Sequence, residues 1–427
     1  MTIIQTLSAI ATDKILVRRI GFILFGLICF RLLASIPVPG VDTNVLSALL
    51  EQNQFLGIFN IFSGGGLENF SIALLGVFPY ITVAIVAQLL TSVIPRLHEL
   101  YHEEGEIGRK KMGQYIRVAS VPIAAANAFG LLTYFQTTGV LPELDWFVML
   151  VNVSVMTAGA VLLMWVGELM TEFGIGNGIS MIVFAGIVVN IPTLIGQAVF
   201  AFETADIPLY VGIILGIFVL FYIVVLVNEA ARPVPVTYAR FERSGTTQAS
   251  RTSTYLPLKV NPVGVLPSIF ALTIVAFVRF LSGTLSNSSN EIVSTAAQAT
   301  HTFLANNYYF AIPVFILVIF FTYFYTPIVL NTKKMSENLQ KQGAFVPGIR
   351  PGGETKEYMD TIIIRILGVG ALFLGVVTAS PFLIQGGVTQ TALFAIGGTS
   401  VLITVSVILD IHRKIQAHLV TFNKNDV

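Results

Sequence analysis

Lysine and arginine keep to alternate connections of this chain. Ten long apolar stretches, near 20–37, 70–92, 116–138, 148–170, 179–200, 209–228, 264–282, 308–330, 362–382 and 390–411, divide the sequence. The segments at 37–69, 139–147, 201–208, 283–307 and 383–389 contain no Lys or Arg and hold eight acids, Asp42, Glu51, Glu68, Glu143, Asp145, Glu203, Asp206 and Glu291. The alternate set, termini included, holds twenty basic residues. Loops on the cytoplasmic side of a membrane are enriched in Lys and Arg. The pattern therefore predicts a multi-pass membrane protein with ten spans and with both termini in the cytoplasm. Lipid leaves backbone polar groups no partner but the chain itself. Because each run is continuously apolar rather than alternating, helices are expected and the fold class is all-α.

The composition agrees. Apolar residues make up 55% and charged residues 11%, where a soluble domain carries about a quarter charged residues. Mean hydropathy is +0.81. Cys29 is the one cysteine, which excludes an internal disulfide. No phosphate-binding Gly-x-x-x-x-Gly-Lys loop occurs, and the five His residues (98, 102, 301, 412 and 418) lie outside the apolar stretches. No catalytic residue, cofactor or metal site is therefore expected, and no cleavable signal peptide. Residues 1–19, with Lys14, Arg18 and Arg19, read as a cytoplasmic amphipathic anchor. Arg31, Glu168 and Arg279 are the clearest charges within the stretches, all near helix ends. A proton- or sodium-coupled carrier places acids at the midplane, so their positions weigh against one.

Ten spans divide into two sets of five, 1–205 and 206–427. An odd number per half forces opposite topology, as in inverted repeats. Two connections in the second half are long and basic, 229–263 and 331–361. They suit a docking surface for a large acidic or nucleic-acid partner. The tip Gly343-Ala-Phe-Val-Pro-Gly-Ile-Arg-Pro-Gly352 is rich in turn formers, and its Phe345 and Val346 are expected to be exposed for contact. Residues 55–69 are apolar, then glycine-rich and too short to span. Three glycines disfavour helix by about 1 kcal/mol each, which predicts a re-entrant piece hinged on Gly64–Gly66. Gly174-Ile-Gly-Asn-Gly178 reads as a tight turn. Gln88, Asn127, Asn152, Asn190 and Thr273 are uncharged polar residues at depth, available for hydrogen bonds between helices.

Six motifs, in order, carry a resemblance: Arg31-Leu-Leu-Ala-Ser-Ile-Pro-Val-Pro-Gly40, Phe78-Pro-Tyr-Ile81, Gly174-Ile-Gly-Asn-Gly-Ile-Ser180, Tyr255-Leu-Pro-Leu-Lys-Val-Asn-Pro262, Phe345-Val-Pro-Gly-Ile-Arg-Pro-Gly352 and Gly397-Gly-Thr-Ser400. Nearly end to end, the chain resembles the SecY family, the channel-forming subunits of the bacterial Sec translocon. The resemblance implies a central pore in the plasma membrane, closed by a plug. The plug matches residues 58–69, that is Phe59, Asn60, Ile61, Phe62, Ser63, Gly64, Gly65, Gly66, Leu67, Glu68 and Asn69. The pore ring matches Ile81, Ile85, Ile179, Val183, Ile269 and Ile403, with Val183 standing where isoleucine is usual. A lateral gate matches Gln88, Asn127, Thr273 and Phe277. Docking residues match Arg240, Arg243, Lys259 and Arg350. Where the family often has Arg-Arg-Ile-Pro-Val, this chain has Arg232-Pro-Val-Pro-Val236, which puts the docking role of that corner in question. The implied partners are the SecE and SecG membrane subunits, the SecA ATPase, the ribosome, signal peptides, nascent polypeptides and lipid. The implied function is conduction of unfolded secretory chains across the membrane and sideways release of transmembrane segments, with energy from a partner. The rival reading is an inverted-repeat solute transporter.

Overall fold

The computed structural model describes residues 13–38, 63, 66, 67, 70–137, 141, 142, 144–200, 207–238, 253–286, 290–387 and 398–425. In chain order the elements are α1 (Lys14–Ser35), α2 (Phe78–Val93), α3 (Pro95–His102), α4 (Gly105–Thr137), α5 (Trp146–Phe173), α6 (Gly178–Phe200) and α7 (Ile207–Glu229). Two strands follow, β1 (Ala231–Tyr238) and β2 (Ser253–Lys259). The rest are α8 (Leu266–Leu285), α9 (Glu291–Ala305), α10 (Asn307–Val329), α11 (Thr332–Lys341), β3 (Ala344–Phe345), α12 (Gly353–Gly387) and α13 (Gly398–Asn425).

A helix overlaps each of the ten apolar stretches. Among the described residues, five helical stretches are long and apolar enough to cross a membrane, 105–136, 146–173, 266–283, 307–341 and 353–384. The bent pair α2 and α3 makes a sixth. Several helices outrun their apolar stretch. In particular, the tail expected after residue 411 continues α13 to Asn425, which places His412 and His418 on a helix.

The chain divides into two compact units, Met1–Phe202 with Val407–Val427, and Glu203–Ser406. In the first unit, the second apolar stretch begins eight residues before its helix (70 against 78). Ser71 bridges to Pro37, Val38 N–H donates to the Phe70 carbonyl at 2.8 Å, and Ile72 N–H donates to the Ile36 carbonyl at 3.0 Å. Those bonds hold residues 70–72 beside the end of α1 instead of in a helix. Helix starts only at Phe78, where Pro79 occupies the first turn and loses no intrahelical bond. The turned segment inserts Leu67, Phe70, Leu74 and Leu75 into a core with Ala128, Leu132 and Phe135 of α4 and Met156 and Ala160 of α5. Gly159 makes this possible. A Cβ there would lie 2.0 Å from the Ile72 carbonyl oxygen. Pro95 then ends α2, and α3 leaves at 109°. Ile94, in extended conformation, obeys the restriction on residues before proline. A second small core joins Leu16 of α1, Ile175 and Leu419 of α13.

In the second unit Phe270 of α8 packs against Phe321 and Tyr325 of α10, with ring centroids 5.5 and 5.8 Å apart. The start of α13 lies so close to α12 that a Cβ on Gly398 would meet the Val377 carbonyl oxygen at 2.0 Å. The two long basic connections meet in one antiparallel sheet of order β2-β1-β3. Ala231 pairs with Lys259, Pro233 with Pro257 and Thr237 with Ser253 on one side, while Thr237 and Tyr238 pair with Phe345 and Ala344 on the other. Val260 N–H donates to the Ala230 carbonyl. Antiparallel pairs alternate between bonded and non-bonded, so the even-numbered residues of β1 and β2 face each other with their N–H groups. Pro233, Pro235 and Pro257 are odd-numbered, and no ladder bond between β1 and β2 is lost to them.

Candidate functional site

The Gly174–Gly178 turn positions two candidate pore residues. Gly174 N–H closes α5 on the Met170 carbonyl at 3.0 Å. Gly176 has φ +94, the left-handed region that glycine tolerates. The Asn177 side chain then caps α6, accepting from Ile179 N–H at 3.0 Å and Ser180 N–H at 3.2 Å. Gly178 N–H donates to Thr171 Oγ1 at 2.8 Å, and a Cβ on Gly178 would meet the Gly167 carbonyl oxygen at 2.2 Å. The tight turn expected from the sequence is what forms. Ile179 and Val183 follow on α6, one turn apart and both buried. The Ile179 Cδ1 sits 2.5 Å from where a Cβ on Gly167 would stand. Gly167 is therefore the notch that seats this side chain, a role that a lone glycine in an apolar run does not announce.

Ile81 and Ile85 lie one turn apart on α2, the first half-buried and the second buried. In the second unit Ile269 on α8 and Ile403 on α13 are buried. The footing of both helices is polar. Thr378 donates to Ser268 Oγ at 2.8 Å inside the α8–α12 contact. Asn261 Nδ2 donates to Asn228 Oδ1 at 3.1 Å, Asn261 Oδ1 accepts from Gly264 N–H at 3.0 Å, and Asn228 Nδ2 reaches Ser406 Oγ at 3.4 Å. Asn261 thus ties β2, the end of α7 and α13 together. Its place in the Tyr255–Pro262 motif was visible in the sequence, whereas its partners were not.

Of the candidate plug, Ser63, Gly66 and Leu67 are described. Ser63 and Leu67 are buried, and the Gly66 carbonyl accepts from Ser71 N–H at 2.8 Å. Phe59, Asn60, Ile61, Phe62, Gly64, Gly65, Glu68 and Asn69 lie outside the described residues. The candidate gate residues Gln88 and Asn127 are half-buried in the first unit. Thr273, in the second, donates its hydroxyl to the Ile269 carbonyl of its own helix at 2.7 Å. The expectation that this donor serves a neighbouring helix is corrected, since a threonine hydroxyl can reach the carbonyl four residues back. Phe277, one turn further, is exposed.

At the sheet, Lys259 and Arg350 are exposed, and Arg240 and Arg243 lie outside the described residues. Arg350 is held by its backbone. Its carbonyl accepts from Thr355 Oγ1 at 2.8 Å and its N–H donates to Glu354 Oε2 at 3.4 Å. The expectation of exposed Phe345 and Val346 is overturned for Val346, which is buried among Val234, Leu258, Ile362 and Ile363. Phe345 is half-buried. Pairing of β3 with β1 turns the tip inward, so its apolar residues build a core and its arginine remains outside. Two of the charges singled out within the stretches, Glu168 and Arg279, have partners. Arg117 Nε lies 2.8 Å from Glu168 Oε1, and the Arg279 guanidinium lies over the Phe310 ring at 5.9 Å. Among the described residues, no cluster of His, Cys, Asp and Glu could hold a metal ion.

The SecY family model matches residues 71–412. The protein translocase subunit SecY of Pseudomonas aeruginosa is 40% identical over 410 residues, covering 94% of this chain and 91% of that protein. The SecY of Escherichia coli K12 is 37% identical over 416 residues, covering 93% and 90%. In fold, the chain is similar to one solved as the structure of a protein conducting channel, with TM-score 0.63, 16% identity and coverage of 93% and 91%. It is also similar to Sec61 in the canine ribosome–channel complex from the endoplasmic reticulum, with TM-score 0.59, 15% identity and the same coverage. This multi-pass, mainly helical membrane chain, with its small sheet built from two basic connections, belongs to the SecY family.

Proposed function

We propose that this chain conducts unfolded secretory polypeptides across the plasma membrane and releases apolar segments sideways into lipid. The observation that carries the reading is its likeness to translocase subunits over nearly its whole length. The chain is a protein-conducting channel and not an enzyme. A solute carrier would need a polar, substrate-specific site among its helices. Here Glu168 is committed to Arg117, and the six candidate ring positions are aliphatic.

A narrow aliphatic ring of Ile81, Ile85, Ile179, Val183, Ile269 and Ile403 would seal by dewetting and by close fit around a moving chain. Isoleucine and valine offer no hydrogen bond and so grip no particular sequence. Residues 58–69 would plug the resting channel. The burial of Ser63 and Leu67 and the Gly66–Ser71 bond support a fixed base for that plug at its C-terminal end. Signal peptides carry an apolar region of about 7–15 residues, and its partition into lipid would open a gate at Gln88, Asn127, Thr273 and Phe277 as a population shift. Energy would come from SecA or the ribosome on the basic sheet, with SecE and SecG completing the membrane assembly. The solved Sec61 complex contains a ribosome, which supports that partner. Both termini would lie in the cytoplasm and the halves 1–205 and 206–427 would be inverted copies in topology.

Reconstitution with the small subunits and SecA tests the function. A preprotein should enter the vesicles on addition of ATP, and transport of a small solute without any preprotein would overturn the reading. The gate has its own test. Asn127→Leu should move the signal hydrophobicity needed for export by the equivalent of about 0.6 kcal/mol. Thr273→Val should move it less, because its donor is satisfied within α8. An unmoved threshold in an export series with graded signals would place the gate elsewhere.

A further inference from the structure

With Ile403 as a ring residue and the sheet as the docking surface, as proposed above, we infer that Asn261 is a positioning residue for the pore. Through Asn228 and Ser406 it ties α13, which carries Ile403, to the root of the docking sheet. All of these residues belong to the second unit. Asn261 and Asn228 are 6% and 8% exposed, and an amide so deep costs free energy unless it is bonded. Asn261 stands two residues beyond β2 and accepts from Gly264 N–H at 3.0 Å, in a turn where Gly264 has φ +70. Its Nδ2 donates to Asn228 Oδ1 at 3.1 Å, near the end of α7, and Asn228 Nδ2 reaches Ser406 Oγ on α13 at 3.4 Å. Ser406 and Ile403 are three residues apart on one helix and so are surface neighbours.

Backbone contacts make this hub part of a larger frame. Val260 N–H closes the root of the sheet on the Ala230 carbonyl at 2.9 Å. A Cβ on Gly370 of α12 would lie 2.5 Å from the Val260 carbonyl oxygen. About two turns further along α12, the Val377 backbone receives Gly398 at the start of α13. Thr378, the next residue, holds Ser268 beside the other ring position of this unit, Ile269. The root, α12, α8 and α13 thus meet through backbone and short polar groups, which leave less slack than long side chains. Gly398 fixes where α13 begins, and Ser406 fixes its rotation two turns later. Ile403 lies between those two holds. Packed and bonded chains of this kind carry coupling between distant sites. A load on the sheet from a docked partner then reaches Ile403 through Asn261, and the resting seal depends on the same bonds.

The test uses the whole complex in vesicles, titrating SecA against preprotein transport and measuring ion conductance without SecA. Ser406→Ala removes only the α13 end of the hub. One buried hydrogen bond is worth about a fivefold shift in an equilibrium. The maximal transport rate per assembled complex should therefore fall about fivefold, and resting conductance should rise by about the same factor. The SecA concentration for half-maximal rate should stay at the native value. A mere loss of folded channel would lower conductance instead of raising it. Ser406→Thr, which keeps the hydroxyl, should restore both values, and Asn261→Ala should match or exceed Ser406→Ala. Native rate and conductance in Ser406→Ala overturn the role. So does a change confined to half-saturating SecA, which would limit the hub to shaping the sheet, and so does failure of Ser406→Thr to rescue. Ile403→Ala distinguishes the hub from the reading beneath it. That variant should leak. If it does not, Ile403 is no ring residue and both fall, whereas a leak in Ile403→Ala without one in Ser406→Ala strikes the hub alone.

Discussion

Two turn motifs of this chain look alike as text and behave differently as structure. Gly174–Gly178 and Gly343–Gly352 are both short, glycine-rich and placed between helices. The first works by the absence of side chains. Its glycines bring backbone against backbone, and α6 starts where Gly178 meets Gly167. The second works by the presence of one. Val346 fills a core under the sheet, while its glycines at 343 and 348 face open space. Turn residues announce that a chain bends. They do not say whether the bend is held by close approach or by an anchored side chain.

That contrast can be broken by four substitutions, in falling order of effect on folding. Gly178→Ala should be the most damaging, because the new methyl would meet backbone at 2.2 Å. We expect a loss of about 3 kcal/mol or more, read as a fall in the thermal midpoint and in the yield of assembled complex. A variant as stable as the native chain would mean that the turn is not held by close approach. Val346→Ala should cost about 2 kcal/mol through the cavity left in the sheet core, measured in the same thermal series. No loss there would show the tip to be held by its strand pairing alone. Gly352→Ala should cost about 1 kcal/mol. Its φ of +104 strains any side chain, yet the nearest atom to a Cβ is Gln340 Oε1 at 3.5 Å. A cost equal to that of Gly178→Ala would erase the distinction between the two motifs. Arg350→Glu should change stability by less than about 0.5 kcal/mol, since the fold holds that residue by its backbone. SecA-driven transport in vesicles should nevertheless collapse. Normal transport would remove Arg350 from the docking surface, and failed assembly would make its role structural.

The membrane helices were legible because lipid imposes one rule on every one of them, internal satisfaction of the backbone. Their ends were not, since outside lipid other groups decide. Asp13, Asn290, Asn306 and Asn331 cap helices whose starts no hydropathy count would place. The eight residues lost from the second stretch went to turns anchored by the bridge of Ser71 with Pro37, a contact between segments well separated in sequence. Burial of Val346 has the same origin, through pairing of Phe345 with Thr237. For the candidate site, residue identities came from motif likeness alone. Isoleucines in an apolar run are indistinguishable from packing residues, and the notch at Gly167 or the hub at Asn261 becomes visible only when partners far along the chain are in place.

The prolines of the small sheet bear on the traffic this protein handles. An extended chain arriving unfolded carries unpaired amides and carbonyls, and any open strand edge is a template on which it could anneal. The outward amides of β1 fall at odd positions. Two of these are Pro233 and Pro235, and Thr237 is already paired with β3. The outward row of β2 is interrupted midway by Pro257. Neither margin can run a continuous ladder with a passing polypeptide. A departure in sequence at residue 233 thus leaves this sheet a margin on which an unfolded chain finds no continuous row of amides.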